Sequence, residues 1–244
     1  MNLDEYGQMY EREDHYWWFI ARRQLALQLM AAHPAPEGIT LDVGCGTGAM
    51  LAELTRRGPA MGVDVSPEAL KLCGRRGLTN ALEGDAQALP LADDSVARVV
   101  TLDTLEHVPD DLAAAAEIFR VLKPGGVLII NVPAFRWLWG PHDVALHHHR
   151  RYKRCELVAR LHEAGFSVER SSYSVFFLFG FVMLVRFVDR FRKSEAKVRL
   201  PEVGPTLNKL LISLMRFEGW LLARCPLPVG SSVVAVARKP NRTI

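Results

Sequence analysis

From Ile39 onward, short runs of apolar, β-branched residues alternate with stretches in which apolar side chains recur every three or four positions. The first pattern belongs to strands and the second to helices, and their alternation predicts a parallel sheet covered by helices. Strands are expected near 39–43, 60–64, 79–83, 97–102, 126–132, 166–172 and 232–238, with helices at 48–57, 67–75, 110–122 and 154–164. Ser66-Pro67 offers an N-cap and a first-turn proline to the second of these helices. Lys123-Pro124-Gly125-Gly126 ends the third and turns the chain into the next strand.

Two segments break this rhythm. In 1–38 the aromatic cluster Tyr16-Trp17-Trp18-Phe19 leads into a helix that reads as a lid. Trp18, Arg22, Leu25 and Leu29 share one face of it, but Ile20, Arg23, Leu27 and Met30 nearly make another, so the pattern leaves open which arginine points inward. The second segment, 173–230, replaces a short turn between the last two strands. It opens with the unbroken apolar run Val175–Val185, about half the roughly twenty residues a helix needs to cross a bilayer. Leu184, Phe187, Val188 and Phe191 then lie opposite Arg186, Arg190 and Lys193, and Leu207, Leu210, Leu211, Leu214 and Leu221 stand against Lys209, Arg216 and Arg224. Two basic amphipathic helices are expected. They could roof an apolar acceptor pocket, lie on an anionic membrane, form a homodimer interface or simply extend the core. The phenylalanine density, six of eleven between Phe176 and Phe191, favours acceptor binding with peripheral membrane contact.

Charge sharpens this division. The 244 residues carry a formal +3, but 171–231 alone carry +5, which leaves −2 for the remainder. An apolar content of 49% excludes a disordered chain and a multi-pass membrane protein. Cys45, Cys73, Cys155 and Cys225 have neither CxxC nor metal-ligand spacing, and the acidic first residues lack a signal-like apolar core. A cytoplasmic protein with reduced thiols is expected, with the inner face of the membrane as its place of contact.

Leu41-Asp42-Val43-Gly44-Cys45-Gly46-Thr47-Gly48 stands where the first strand passes into a helix. Glycines there let the backbone turn sharply and bring free N–H groups close to a ligand. The spacing is GxGxG with Ala49 following, unlike the GxGxxG of nicotinamide and flavin enzymes. The motif resembles the first motif of class I S-adenosylmethionine-dependent methyltransferases, of the kind found in ubiquinone and menaquinone biosynthesis. Asp64 at the end of the second strand, Glu83-Gly84-Asp85-Ala86, Thr101–Val108 and Arg120–Gly126 agree with later motifs of that family in order and register.

The resemblance implies an α/β, Rossmann-like, seven-stranded sheet with its last strand antiparallel, and one methyltransferase domain over 1–244 with the helical insertion between the last two strands. It also implies a cofactor, S-adenosylmethionine, leaving as S-adenosylhomocysteine. Its contacts would come from Asp42, Gly44, Cys45, Gly46 and Gly48, from Asp64 and Val65 for the ribose and its surroundings, and from Asp85 and Ala86 for the adenine. Asp103 and His107 would lie under the methionine moiety, with Arg22 and Trp18 from the lid.

Methyl transfer from a sulfonium is an in-line displacement to which alignment contributes most, and a base is needed only when the acceptor must lose a proton. The family's Asp, short gap and His-x-Arg-Arg-Tyr before a helix select Asp143, His148, Arg151 and Tyr152. His148 is the expected base or acceptor-orienting group, with Asp143 holding its other nitrogen. Glu106-His107 could line the pocket from the opposite side.

No metal is expected, because adjacent histidines seldom converge on one ion and neither HxxxH nor a paired carboxylate accompanies His147-His148-His149. The Pro-Cys and Asn/Asp-Pro-Pro-Tyr motifs of DNA methyltransferases are absent, so nucleic acid is not the expected substrate. The expected reaction is transfer to oxygen on a small or lipid-like acceptor. Transfer to nitrogen or carbon of a small metabolite, or a non-catalytic binding module on the same fold, are the alternatives.

Overall fold

A computed structural model describes residues 3–191 and 201–241. Helices α1 (Leu3–Arg12) and α2 (Trp17–Ala32) precede β1 (Thr40–Val43), α3 (Ala49–Thr55), β2 (Ala60–Asp64), α4 (Pro67–Arg75), β3 (Ala81–Glu83) and β4 (Val96–Leu102). After a 3₁₀ turn at Leu105–His107 come α5 (Asp111–Val121), β5 (Leu122–Pro133), α6 (Pro141–Ala145), α7 (Arg154–Glu163) and β6 (Ser167–Ser174). The insertion supplies α8 (Phe179–Phe191) and α9 (Pro205–Leu222), and β7 (Ser232–Arg238) closes the sheet.

The seven strands lie in the order β3-β2-β1-β4-β5-β7-β6. The first five pair in parallel, and β7 runs antiparallel to both β5 and β6. The expected architecture is therefore observed. Both faces of the sheet are covered, which is why β1, β5 and β7 read as near-continuous apolar runs rather than alternating ones. On one face, Leu41, Val99, Leu128 and Ile130 pack with Ile118 of α5 and with Leu157 and Leu161 of α7. On the other, Val100, Ile129, Val234 and Val236 pack with Leu25 and Leu29 of α2, Met50 and Leu54 of α3, and Leu222 of α9. The order reverses between β1 and β4, and the crevice beyond the carboxyl ends of those strands is where such sheets place ligands.

Two local expectations change. Lys123–Gly126 is not a turn preceding the strand, because α5 stops when Leu122 becomes extended and β5 runs unbroken to Pro133. The irregularity appears instead as a register shift opposite Val96 and Arg98, with Gly125 at φ 77°. In α9 the buried face is Met215, Glu218, Gly219 and Leu222, not the leucine stripe. Leu207 and Leu210 are exposed, because α2 approaches along Gly219, where Gln28 and Leu25 fill the space a side chain would need.

The Glu218 carboxylate accepts hydrogen bonds from the backbone N–H groups of Val175 and Phe177 and so pins the start of the insertion to α9. Phe181, Leu184 and Phe187 of α8, with Phe217 and Trp220 of α9, remain exposed. Arg192, Lys193, Glu195, Lys197 and Arg199 of the basic segment lie outside the described residues. Among the described residues, no helix is long and apolar enough to cross a membrane.

Candidate active site

The loop after β1 is shaped by its glycines. Gly44, Gly46 and Gly48 all have positive φ, at 73°, 54° and 88°, a region that L-residues with a side chain rarely enter. Space is equally restrictive: a Cβ on Gly44 would run into Thr104, and one on Gly48 into Leu78 and Cys73. Asp64 braces the loop from β2, its Oδ2 accepting from the Gly46 N–H at 2.8 Å and its Oδ1 from the Ser66 N–H at 2.9 Å. Asp42 lies beneath, and its Oδ2 is buried without a hydrogen-bond partner. Burial, reinforced by the neighbouring Asp64, pushes the Asp42 carboxyl up to about 7.

Other expected cofactor contacts lie less centrally. Cys45 turns its side chain away from the loop into a small core with Leu51 and Cys73, where their mutual hydrogen bond and burial hold its thiol protonated, so only its backbone faces the crevice. Val65 and Asp85 are exposed on the β2–β3 side, where Asp85 caps the turn through the Gln87 N–H, and Ala86 packs against the main core.

The structure decides between the two arginines. Arg22 reaches into the crevice and pairs with Asp103, whose other oxygen accepts from Asn131 Nδ2 at 2.7 Å. Arg23 points to the opposite side and donates to the Glu13 carbonyl at 2.6 Å. Trp18 does not cover the glycine loop. It packs with Val175, Met215 and Leu178 and lines a narrow cleft with Arg22, Asn131 and Ser232. The N-terminal side chain that reaches the loop is Met9 of α1, which a Cβ on Gly46 would touch.

The N-terminal helices are fastened by a network that no sequence motif announced. Buried Glu13 accepts from Thr47 and from Arg76, Arg76 also bonds the Thr47 carbonyl at 2.8 Å, and its guanidinium lies over Tyr10. Nothing in local spacing links 13, 47 and 76; the signal available was an acidic residue set among the N-terminal aromatics.

On the side of the loop after β5, Asp143 is fully buried and its carboxylate has three partners, one of them the Gly140 N–H at 2.9 Å. Its Oδ1 lies 2.9 Å from His148 Nδ1, and both oxygens receive Arg151, at 2.7 and 3.1 Å. Burial alone would raise the Asp143 carboxyl, but the bond from His148 and the Arg151 guanidinium hold it well below the usual range. Among the expected catalytic residues, then, Asp143, His148 and Arg151 form one unit in which Arg151 is a positioning residue.

Tyr152 does not join it. Its hydroxyl bonds Asp111 at 2.9 Å within the main core, and burial and that carboxylate raise it further from ionisation. One position along an extended segment reverses the side-chain direction, which separates Tyr152 from Arg151. His107, expected near the methionine moiety, instead meets His148 edge to face with ring centroids 4.6 Å apart. Burial and His148 push His107 down to about 3, so its imidazole is neutral.

Glu106 beside it is fully buried, neither carboxylate oxygen has a partner, and burial with nearby Asp103 raises its carboxyl well above the usual range. The backbone pays attention to this corner as well, since Asp103, Phe135 and His147 all adopt φ 55°. Such conformations cluster where structure serves a site.

Residues 41–130 match the family model described as a methyltransferase domain. That span runs from β1 into β5 and is similar to a methyltransferase domain. A curated relative, a probable S-adenosylmethionine-dependent methyltransferase of Mycolicibacterium smegmatis, is 33% identical over 164 residues, covering 64% of this chain and 62% of that protein. The ubiquinone biosynthesis O-methyltransferase of Methylococcus capsulatus is 34% identical over 133 residues, 48% of this chain and 56% of that one. The chain thus spans less than two thirds of these relatives' lengths. In fold, it is similar to a chain solved in the complex between the Haloferax volcanii Trm112 methyltransferase activator and a methyltransferase, with a TM-score of 0.63 at 21% identity, covering 99% of this chain and 96% of that one.

That likeness implies S-adenosylmethionine as methyl donor, and the residues around the glycine loop fit it. An orphaned carboxylate oxygen on Asp42 asks for a donor, the glycine loop keeps side chains out of the crevice, and the buried Nε of Arg22 lacks a partner. Those groups match a ligand that carries an ammonium, hydroxyls and a carboxylate.

Proposed function

We propose that the protein transfers a methyl group from S-adenosylmethionine to an oxygen of a small or lipid-like acceptor. The observation that carries this reading is that the loop after β4 joins two units: Thr104 packs against Gly44 of the Asp64-braced glycine loop, and His107 meets His148 of the buried Asp143–His148 pair. Asp42, Asp64, Arg22 and the loop N–H groups would hold the cofactor, which when bound supplies an electrophilic methyl on a sulfonium. Asp143 accepts at His148 Nδ1, so His148 presents Nε2 as the free nitrogen, the arrangement needed to take a proton from a hydroxyl. Arg151 keeps the carboxylate ionised and immobile. Trp18, Val175 and Met215 give the cleft an apolar wall suited to a lipid-like acceptor, and the exposed aromatic and basic helices α8 and α9 suit contact with an anionic membrane.

S-Adenosylhomocysteine should bind by calorimetry, with binding weakened about 100-fold in Asp64→Ala. A labelled-methyl assay against metabolite and lipid extracts should mark one product, and His148→Ala should abolish labelling while leaving S-adenosylhomocysteine affinity within about threefold. Absence of both binding and labelling would remove the reading. Retained cofactor binding with no labelled product in any extract would favour the non-catalytic module.

A further inference from the structure

The methyl-transfer reading leaves Glu106 without a task. Its side chain is fully buried and neither carboxylate oxygen has a hydrogen-bond partner, although buried polar groups are almost always satisfied. The two arginines whose charge reaches it are already engaged, Arg22 with Asp103 and Arg151 with Asp143. What remains uncompensated at this corner is one carboxylate facing two imidazoles.

We propose that Glu106, His107 and His148 hold a divalent transition-metal cation of the borderline class represented by Zn²⁺. One ligand atom from each residue lies within 4.8 Å of the others, a separation that a single ion can bridge. Each imidazole has its second nitrogen engaged: His148 Nδ1 meets Asp143 Oδ1 at 2.9 Å, and the His107 ring bonds the Leu146 carbonyl. Metal-ligating histidines are oriented in this way, by a carboxylate or carbonyl on the nitrogen that does not bind the ion. Arg151 in turn fixes Asp143, so the outer support is complete.

Two nitrogens and one carboxylate oxygen select Zn²⁺, Co²⁺ or Fe²⁺ over Mg²⁺ and Ca²⁺, which prefer all-oxygen sets. Three protein ligands leave a coordination position open, as catalytic rather than structural sites do. An acceptor oxygen at that position would be oriented and made easier to deprotonate, and with the ion bound His148 would act through it rather than as a free base. The site escapes a search by sequence spacing, because the histidine run contributes only its middle member and the other two ligands lie forty residues earlier.

The test uses the full chain, stripped with a chelator and desalted, then titrated with Zn²⁺ by calorimetry and with Co²⁺ by visible absorption. One equivalent should bind, and Glu106→Gln and His148→Ala should each weaken binding on the order of 100-fold, while His149→Ala should leave it unchanged. The shift in Tm with S-adenosylhomocysteine, recorded on the same samples, reports cofactor binding separately. Absence of stoichiometric binding by the wild-type chain would overturn the proposal, as would affinity undiminished in both ligand variants. Should those variants fail to fold by circular dichroism, diethyl pyrocarbonate labelling of the wild-type chain decides. Saturating Zn²⁺ should protect His107 and His148, and unchanged labelling would sink the idea.

Discussion

The two sides of the crevice are built on different principles. The glycine-loop side is sequence-local: Asp42, the three glycines and Asp64 fall within one strand–helix–strand unit, and much of its bracing is backbone N–H to carboxylate. The opposite side is assembled from segments far apart in the chain, with 103–107 after β4 meeting 142–151 after β5. Its stability depends on side-chain charges buried together, Asp143 with His148 and Arg151. The first side is a conformational solution that tolerates change poorly at glycines, whereas the second is an electrostatic one that tolerates change poorly at charges.

Breaking the charged side should have the larger effect on stability. Asp143→Ala leaves a buried guanidinium and imidazole without their counter-ion and should cost about 3–5 kcal/mol in denaturant unfolding. A loss under about 1 kcal/mol would show that water compensates these charges and that the contrast is overdrawn. On the other side, Asp64→Ala should weaken S-adenosylhomocysteine about 100-fold by calorimetry, which is about 2.7 kcal/mol, with a smaller loss of fold stability as the loop loses one brace.

Asp42 gives the glycine side its own pH signature. Its carboxyl titrates at about 7 when folded, above the value of an unfolded chain, so the folded state holds the proton more tightly. The resulting stability is fully present below about pH 4 and is lost as pH rises towards 7. Asp42→Asn should flatten that slope by something on the order of 1–2 kcal/mol between pH 5 and 8, measured by denaturant midpoints at fixed ionic strength. An unchanged slope would mean that Asp42 is ionised in the folded protein.

Tyr152→Phe is a finer probe, since it stands beside Arg151 but belongs to the core. It should cost about 1 kcal/mol through the lost bond to Asp111 and leave turnover near the wild-type rate. A selective collapse of kcat would return Tyr152 to the catalytic side. The smallest effect is expected in the insertion, where Phe181→Ser with Leu184→Ser should change stability by less than about 0.5 kcal/mol, because both side chains already face outward. If the same pair reduced co-sedimentation with anionic vesicles, membrane contact would gain a location.

The difference between the two sides also explains what could be read in advance. β2 and β7 were expected at the bounds they occupy, and β7, buried along almost its whole length, is the one that reads as an unbroken apolar run. The Asp143–His148–Arg151 unit was visible as a motif, but its arginine and tyrosine could not be separated until the backbone showed which faced the carboxylate. Glu106 was noted as a pocket residue, yet its isolation from every hydrogen-bond partner is a property of its surroundings. The Glu13–Thr47–Arg76 clamp was invisible for the same reason. In α9 the leucine stripe misled, because the buried face is set by how closely α2 approaches Gly219 rather than by hydrophobicity alone.

By itself, then, the sequence determined the strand–helix alternation and the residues of the glycine loop, since each rests on periodicity or on a backbone conformation that only glycine adopts readily, while the antiparallel return of β7 was implied by the family resemblance. Tertiary structure decided everything that depends on a second segment: that Arg22 and not Arg23 enters the crevice, that Tyr152 bonds Asp111 in the core rather than joining Asp143, and that Glu106, His107 and His148 come within reach of one ion. The physical reason is one of range. Local propensity acts over a few residues, whereas burial and charge pairing are defined only once distant parts of the chain exclude water between them.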